Sequence, residues 1–178
     1  MPPSPPRRPS LRAAALALSI MAGVVALDQL TKAGARAWLR PGVRHSWLGD
    51  VFRLELVRNP GAFLSLGASL PPAVRSAIFT WGVGLVVIGA TWVALFRAHS
   101  RAAAVGAALV AGGGLGNLWD RLVAGGLVVD FMNLGLGSLR TGVFNVADLA
   151  IVGGALVLVL WPGRPRAEPA GPDQGRPT

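Results

Sequence analysis

Four aspartates stand where apolar runs begin or end, and carboxylates so placed are the residues of this sequence best suited to chemistry. Asp28 closes the run from Ala13 to Leu27, and Asp120 follows the run from Ala102 to Trp119. Asp148 precedes the run from Leu149 to Trp161, while Asp130 sits among Val128, Val129, Phe131 and Met132. A carboxylate at the centre of a membrane helix costs about 2.5–3.5 kcal/mol on insertion scales, so such groups ordinarily line a polar cavity and serve a function. Two carboxyls held close together cannot both ionise cheaply and share a proton. One then activates water as base while the other polarises a carbonyl as acid.

Other catalytic chemistries are poorly supplied. The chain contains no cysteine, which removes disulfides, thiolate metal sites and a cysteine nucleophile. Its two histidines, His45 and His99, are expected on opposite sides of a membrane, which argues against a histidine metal site or a Ser–His–Asp triad. No metal and no cofactor are expected. Gly112-Gly113-Gly114-Leu115-Gly116 has the look of a phosphate loop but lacks its lysine and follows no expected strand. Small residues that let helices pack closely explain it better.

Each acidic residue also has a purely structural reading. Asn145 is a favoured helix N-cap, and Asp148 three residues on suits the positive end of the helix dipole. The same spacing puts Asn145 beside Asp148, where it would hold the carboxylate in place; both roles are compatible. Asn117, Asp120 and Arg121 are spaced to share one helical face, with an Asp120–Arg121 pair closing the helix end as the plainer explanation. Asp28 and Lys32 are an i, i+4 pair of the kind that ends many helices. Asp130 is either a satisfied turn residue or an acid with a raised pKa.

The elements that must position these groups follow from run length. Of 178 residues, 52% are apolar and only 14% charged, where soluble domains run near a quarter charged. A spanning helix needs about 20 residues. Ser76 to Phe96 is long enough alone and Ala102 to Trp119 nearly so; the first and last runs reach that length only by taking in Asp28 and Asp148. The expected fold is an α-helical polytopic membrane protein with four transmembrane helices, at about 11–30, 75–96, 102–120 and 143–161, within a domain of residues 1–162. Four spans alternate in direction, so the end of span 1, the end of span 3 and the start of span 4 share one side. All four aspartates therefore converge at one membrane face. Phe52, Leu54 and Leu56 alternate with Arg53, Glu55 and Val57, which reads as a strand within a small β platform at about 38–71, lying at the membrane surface. Residues 163–178, rich in Pro, Gly and charge, are expected to be disordered.

The net charge of +9 does not point to nucleic acid, because the arginines cluster at the ends of apolar runs, where they meet lipid headgroups. Membrane lipids, not nucleic acid, are the expected contact. Arg7, Arg8 and Arg12 precede the first run, but Val25-Ala26-Leu27-Asp28 is a poor cleavage site, so the first span is expected to stay uncleaved. Cationic flanks on the two sides nearly tie; the tight loop from Arg97 to Arg101 favours termini inside and aspartates outside. A proton- or cation-coupled carrier would need polar groups along a route through the bilayer, whereas the middle of every span is apolar. A non-enzymatic assembly factor would keep its function without the aspartates.

Five short motifs occur in a familiar order. They are Asp28-Gln29-Leu30-Thr31-Lys32, Arg58-Asn59-Pro60-Gly61-Ala62-Phe63, Gly113 to Arg121 (ending Gly116-Asn117-Leu118-Trp119-Asp120-Arg121), Val128-Val129-Asp130-Phe131 and Phe144-Asn145-Val146-Ala147-Asp148. As a set, over about residues 10–162, they resemble the lipoprotein signal peptidases (signal peptidase II). In the second motif, Phe63 and Leu64 stand where family members more often carry Ala-Phe. The resemblance implies a metal-free aspartic endopeptidase of the bacterial cytoplasmic (inner) membrane, with both termini cytoplasmic, a site near the extracytoplasmic face, and a chain acting as a monomer. It implies Asp130 and Asp148 as the catalytic pair, with Asp28, Lys32, Asn59, Gly61, Asn117, Asp120, Arg121, Asn145 and Ala147 supporting the site. The implied substrates are diacylglyceryl-modified prolipoproteins, cleaved just before the lipidated cysteine.

Overall fold

The structure, a computed structural model, describes residues 11–61, 67 and 69–161. Phe63, Leu64, the arginines before Leu11 and the tail from Pro162 lie outside the described residues. Helix α1 spans Leu11–Trp38, α2 Pro72–Arg97, α3 Arg101–Val123 and α4 Val146–Leu160. The first three are long and apolar enough to cross a membrane, and α4 is a shorter apolar helix of 15 residues. Helix α1 runs well past residue 30, because Gln29, Lys32, Ala33 and Ala35 are good helix formers and no proline intervenes before Pro41. Asp28 and Lys32 therefore sit within the helix and not at its end.

Helix α3 is the central post, and its glycines each admit a different neighbour. A methyl group on Gly112 would meet Met21 and Val24 of α1; on Gly113, the Ala147 carbonyl and Ile151 of α4; on Gly114, Val87 of α2. Successive helical positions turn by about 100°, so three adjacent glycines face three helices in turn. Between lipid-embedded helices, close packing of small residues supplies attraction that hydrophobic burial cannot. Farther along, Gly106 and Gly154 bring α3 and α4 together backbone to backbone, and Ala17, Ala107, Ala108 and Ala111 are buried between α1 and α3.

The platform is a four-stranded antiparallel sheet, β1 (Arg44–Trp47), β2 (Phe52–Asn59), β3 (Val128–Leu136) and β4 (Leu139–Arg140), paired in that order. Only β1 and β2 fall in the segment expected from sequence. Strands β3 and β4 come from the α3–α4 connection, so Asp130 is a strand residue and not a turn residue. A bulge between Leu54 and Val57 shifts the β2–β3 register, which breaks the simple alternation at Leu56 and sets Val57 opposite Asp130. Gly125 and Gly126, both at positive φ, turn the chain from α3 into β3. Phe144 then bridges Met132 through backbone hydrogen bonds in both directions, 2.9 and 2.8 Å, which seats the start of α4 against β3.

Gly113→Ala forces its methyl into the backbone of α4. It is expected to lower the detergent unfolding midpoint sharply, whereas Gly84→Ala, whose methyl meets nothing within 4 Å, leaves the midpoint unchanged or slightly raised. Equal midpoints for the two variants would contradict the central-post packing.

Candidate active site

The site is assembled around Lys32, whose side chain is fully buried. Its ammonium has three donors, and three oxygens meet it: Asp28 Oδ2 at 2.8 Å, Asp120 Oδ2 at 2.9 Å and Asn117 Oδ1 at 3.0 Å. A buried charge is tolerable only when paired and fully hydrogen-bonded, and that condition is met by residues of two helices. The Asp28–Lys32 pair is thus an interior pair and not a surface helix-end bridge. Asp120 likewise faces Lys32, so the expected Asp120–Arg121 closure of the helix end is replaced by a contact between helices.

The network continues from this ammonium to the two remaining acids. Asn117 Nδ2 donates to Asp148 Oδ1 at 2.9 Å, while its Oδ1 accepts from Asn145 Nδ2, also at 2.9 Å. Asn145 Nδ2 also donates to Asp130 Oδ1 at 2.7 Å. On the far side, Asn59 Nδ2 donates to Asp130 Oδ2 at 2.8 Å. Asn145 and Asp148 form a reciprocal capping box at the start of α4, with Asn145 Oδ1 accepting from Asp148 N and Asp148 Oδ2 from Asn145 N. Capping and carboxylate placement are therefore one arrangement. Ala147 N donates to Asp28 Oδ1 at 3.0 Å, so Asp28 serves a second orphan amide of that helix start. Gly116 leaves room for Asp28, since a methyl there would lie 2.6 Å from its Oδ2.

Arg121 ties the second motif in. Its Nη2 donates to the Gly61 carbonyl at 2.9 Å, and the Gly61 amide donates to Asn59 Oδ1 at 2.9 Å. Asn59 is thereby aimed at Asp130. All eleven residues singled out from sequence meet in this one network. Gln29 belongs to it as well: its Nε2 donates to Asp28 Oδ2, Asp120 Oδ1 and the Gly116 carbonyl at 3.0–3.2 Å. It stood inside the first motif, but nothing in its type distinguished it from an ordinary helix glutamine.

Asp130 and Asp148 line a cavity of about 320 Å³ with Asn59, Asn117, Arg121 and the apolar Val83, Val128, Ile151 and Val152. The cavity lies between α2 and α4. Burial pushes the Asp130 carboxyl up to about 7, aided by the nearby Asp148 and opposed by the hydrogen bonds from Asn59 and Asn145. Asp28 and Asp120 have Lys32 between them, whereas Asp130 has amide donors and no salt bridge among the described residues. Among the described residues no cluster of His, Asp or Glu has metal-binding geometry.

Removing the ammonium leaves two buried carboxylates facing each other. Lys32→Met is expected to cost about 3–5 kcal/mol of stability, read as a lowered unfolding midpoint in detergent; an unchanged midpoint would show that Lys32 is not the hub.

Comparisons with known proteins agree with this geometry. The family described as Signal peptidase (SPase) II matches residues 20–162. The lipoprotein signal peptidase of Rhodococcus jostii (strain RHA1) is 42% identical over 164 residues, covering 88% of this chain and 77% of that protein. That of Mycobacterium avium (strain 104) is 40% identical over 165 residues, covering 88% and 80%. A solved bacterial membrane enzyme structure superimposes with a TM-score of 0.71 at 22% identity, over 87% of this chain and 90% of its own, a likeness of fold. With described residues from each of the five motifs joined in one buried network and a family match across most of its length, the chain belongs to the signal peptidase II family of bacterial membrane proteases.

Proposed function

We propose that Asp130 and Asp148 are a catalytic dyad that removes signal peptides from diacylglyceryl-modified prolipoproteins, cleaving just before the lipidated cysteine. The observation that carries this reading is the placement of two carboxyls on one cavity, joined through Asn145, while Lys32 is fully occupied by other partners. The names of the relatives support a lipoprotein substrate. The cavity's apolar wall of Val83, Ile151 and Val152 suits a signal helix arriving from the bilayer.

In the proposed step the pair shares one proton. The ionised carboxyl takes a proton from water as its oxygen bonds to the scissile carbonyl carbon, and the protonated carboxyl gives its proton to the carbonyl oxygen. The tetrahedral diol then collapses, the C–N bond breaks, and the amine leaves with a proton returned from the dyad. Asn59 and Asn145 hold Asp130 in place, and Asn117 holds Asp148. No metal or cofactor enters these steps. The chain works as a monomer in the bacterial inner membrane, with residues 1–162 as its membrane domain. The tight loop between Arg97 and Arg101 supports cytoplasmic termini and, with them, a site near the extracytoplasmic face.

Asp130→Asn and Asp148→Asn are each expected to reduce cleavage of a lipidated prolipoprotein by at least about a hundredfold, with insertion and folding kept. Near-normal turnover in either variant would remove that residue from the dyad. The acid form of Asp130 is lost as pH rises through about 7, so cleavage is expected to decline on the alkaline side of neutrality. A rate flat from pH 6 to 9 would contradict a shared proton.

A further inference from the structure

Lys32 meets the rule that a buried charge is paired; Arg121, the other buried cation of the site, does not. It is 7% exposed. Its guanidinium donates to two backbone carbonyls, Gly61 at 2.9 Å and Asn117 at 3.4 Å. Its buried Nε has no hydrogen-bond partner, and it forms no ion pair among the described residues. Asp130 and Asp148 take their hydrogen bonds from Asn59, Asn117 and Asn145 instead. A buried cation left so is costly unless an anion reaches it.

Arg121 lines a second cavity as well as the one that holds Asp130 and Asp148. This second cavity, of about 290 Å³, lies between the start of α2 and the end of α3. Arg75, Ser76 and Thr80 line it from α2, with Phe79 and Trp81. None of its described lining residues is acidic. Two guanidiniums and two hydroxyls thus border one space that holds no carboxylate. Over Ala77–Gly82 the helix is wound as a π-helix, a wide turn that occurs mostly at functional sites. Phe79, Thr80 and Trp81 belong to that turn.

Depth narrows the choice of anion. Helix α2 has 26 residues and is about 39 Å long at 1.5 Å per residue. The hydrocarbon core is about 30 Å thick, so with Arg97 at the other end the first turn of α2 stands among lipid headgroups. Arg75 lies at that level. Trp81 and Leu122 line the same cavity and are 71% and 63% exposed, which gives it an open apolar side. A phosphate for the arginines and an acyl chain for the open side are the two ends of a phospholipid.

We infer that this second cavity is a binding site for a membrane phospholipid, whose phosphate is held by Arg75 and Arg121 and by the hydroxyls of Ser76 and Thr80. The lipid is a resident ligand and not the substrate's own. The diacylglyceryl group of the proposed substrate carries no phosphate, so a site built on two guanidiniums tells the two lipids apart. Arg121 then holds the Gly61 carbonyl beside Asn59 with its charge answered from the other side. The inference needs the membrane location alone and does not depend on the dyad.

Native mass spectrometry of the delipidated full-length protein in detergent counts the lipids that rebind. Phosphatidylglycerol, diacylglycerol with the same acyl chains and inorganic phosphate are titrated separately. One phosphatidylglycerol is expected to bind ahead of the rest, with its affinity lowered about tenfold by Arg75→Ala, the loss of one charge-assisted contact. Arg97→Ala, at the far end of α2, is expected to leave that affinity unchanged. Thr80→Val keeps both arginines and is expected to weaken binding several-fold, an independent reading should Arg75→Ala fold poorly. Equal affinity in wild type, Arg75→Ala and Thr80→Val would overturn the inference. Diacylglycerol bound as tightly as phosphatidylglycerol would overturn it too, because the cavity would then suit the substrate's lipid. Inorganic phosphate bound equally well would make this a site for the free ion and not for a lipid. Binding requires no catalysis, so this result and the dyad can fail separately.

Discussion

A lysine ammonium with no access to water must find three acceptors, and the rest of this molecule is arranged around meeting that demand at Lys32. Asp28 and Asp120 supply charge and Asn117 supplies the third oxygen. The choice of Asn117 has further reach than the other two. An amide whose oxygen is committed to a cation has its nitrogen aimed elsewhere, here at Asp148. Lys32 thus orients a carboxyl it does not touch.

The backbone meets the same requirement. Charge can be placed this deep only if helices approach closely enough to exclude water, and the glycines of α3 set that distance separately for each neighbour. The sheet completes the enclosure from above. Its bulge brings Val57 opposite Asp130 and Asn59 within reach of the Asp130 carboxyl, while Phe144 keeps the α4 cap in register with β3. Helix packing and strand register thus converge on one acid from opposite directions.

Much of this was legible in the sequence because membrane spans announce themselves by length. Alternating spans bring Asp28, Asp120 and Asp148 to one side with no knowledge of packing, and the ordered motifs pointed to all eleven site residues. What stayed hidden depended on contacts between segments remote in sequence. Strand β3 reads as a short apolar stretch until β2 is beside it, so its sequence leaves Asp130 open between a turn residue and an acid with a raised pKa. Asp120 and Arg121 are adjacent and opposite in charge, which favours a local pair on paper; Lys32 claims Asp120 only once α1 lies against α3. Gln29 was overlooked for the same reason, since its partners lie on another helix.

The contact from Asp28 to the Ala147 amide spans 119 positions of the chain, and that separation bears on how the enzyme comes into being. The first helix carries an acid and a base that can neutralise each other one turn apart, so it can enter the bilayer before its other partners are made. Asp120 and Asn117 arrive only with the third helix. The amide that completes Asp28 arrives last, with the fourth. The buried network therefore stays incomplete at every stage of synthesis until the final helix has joined the other three.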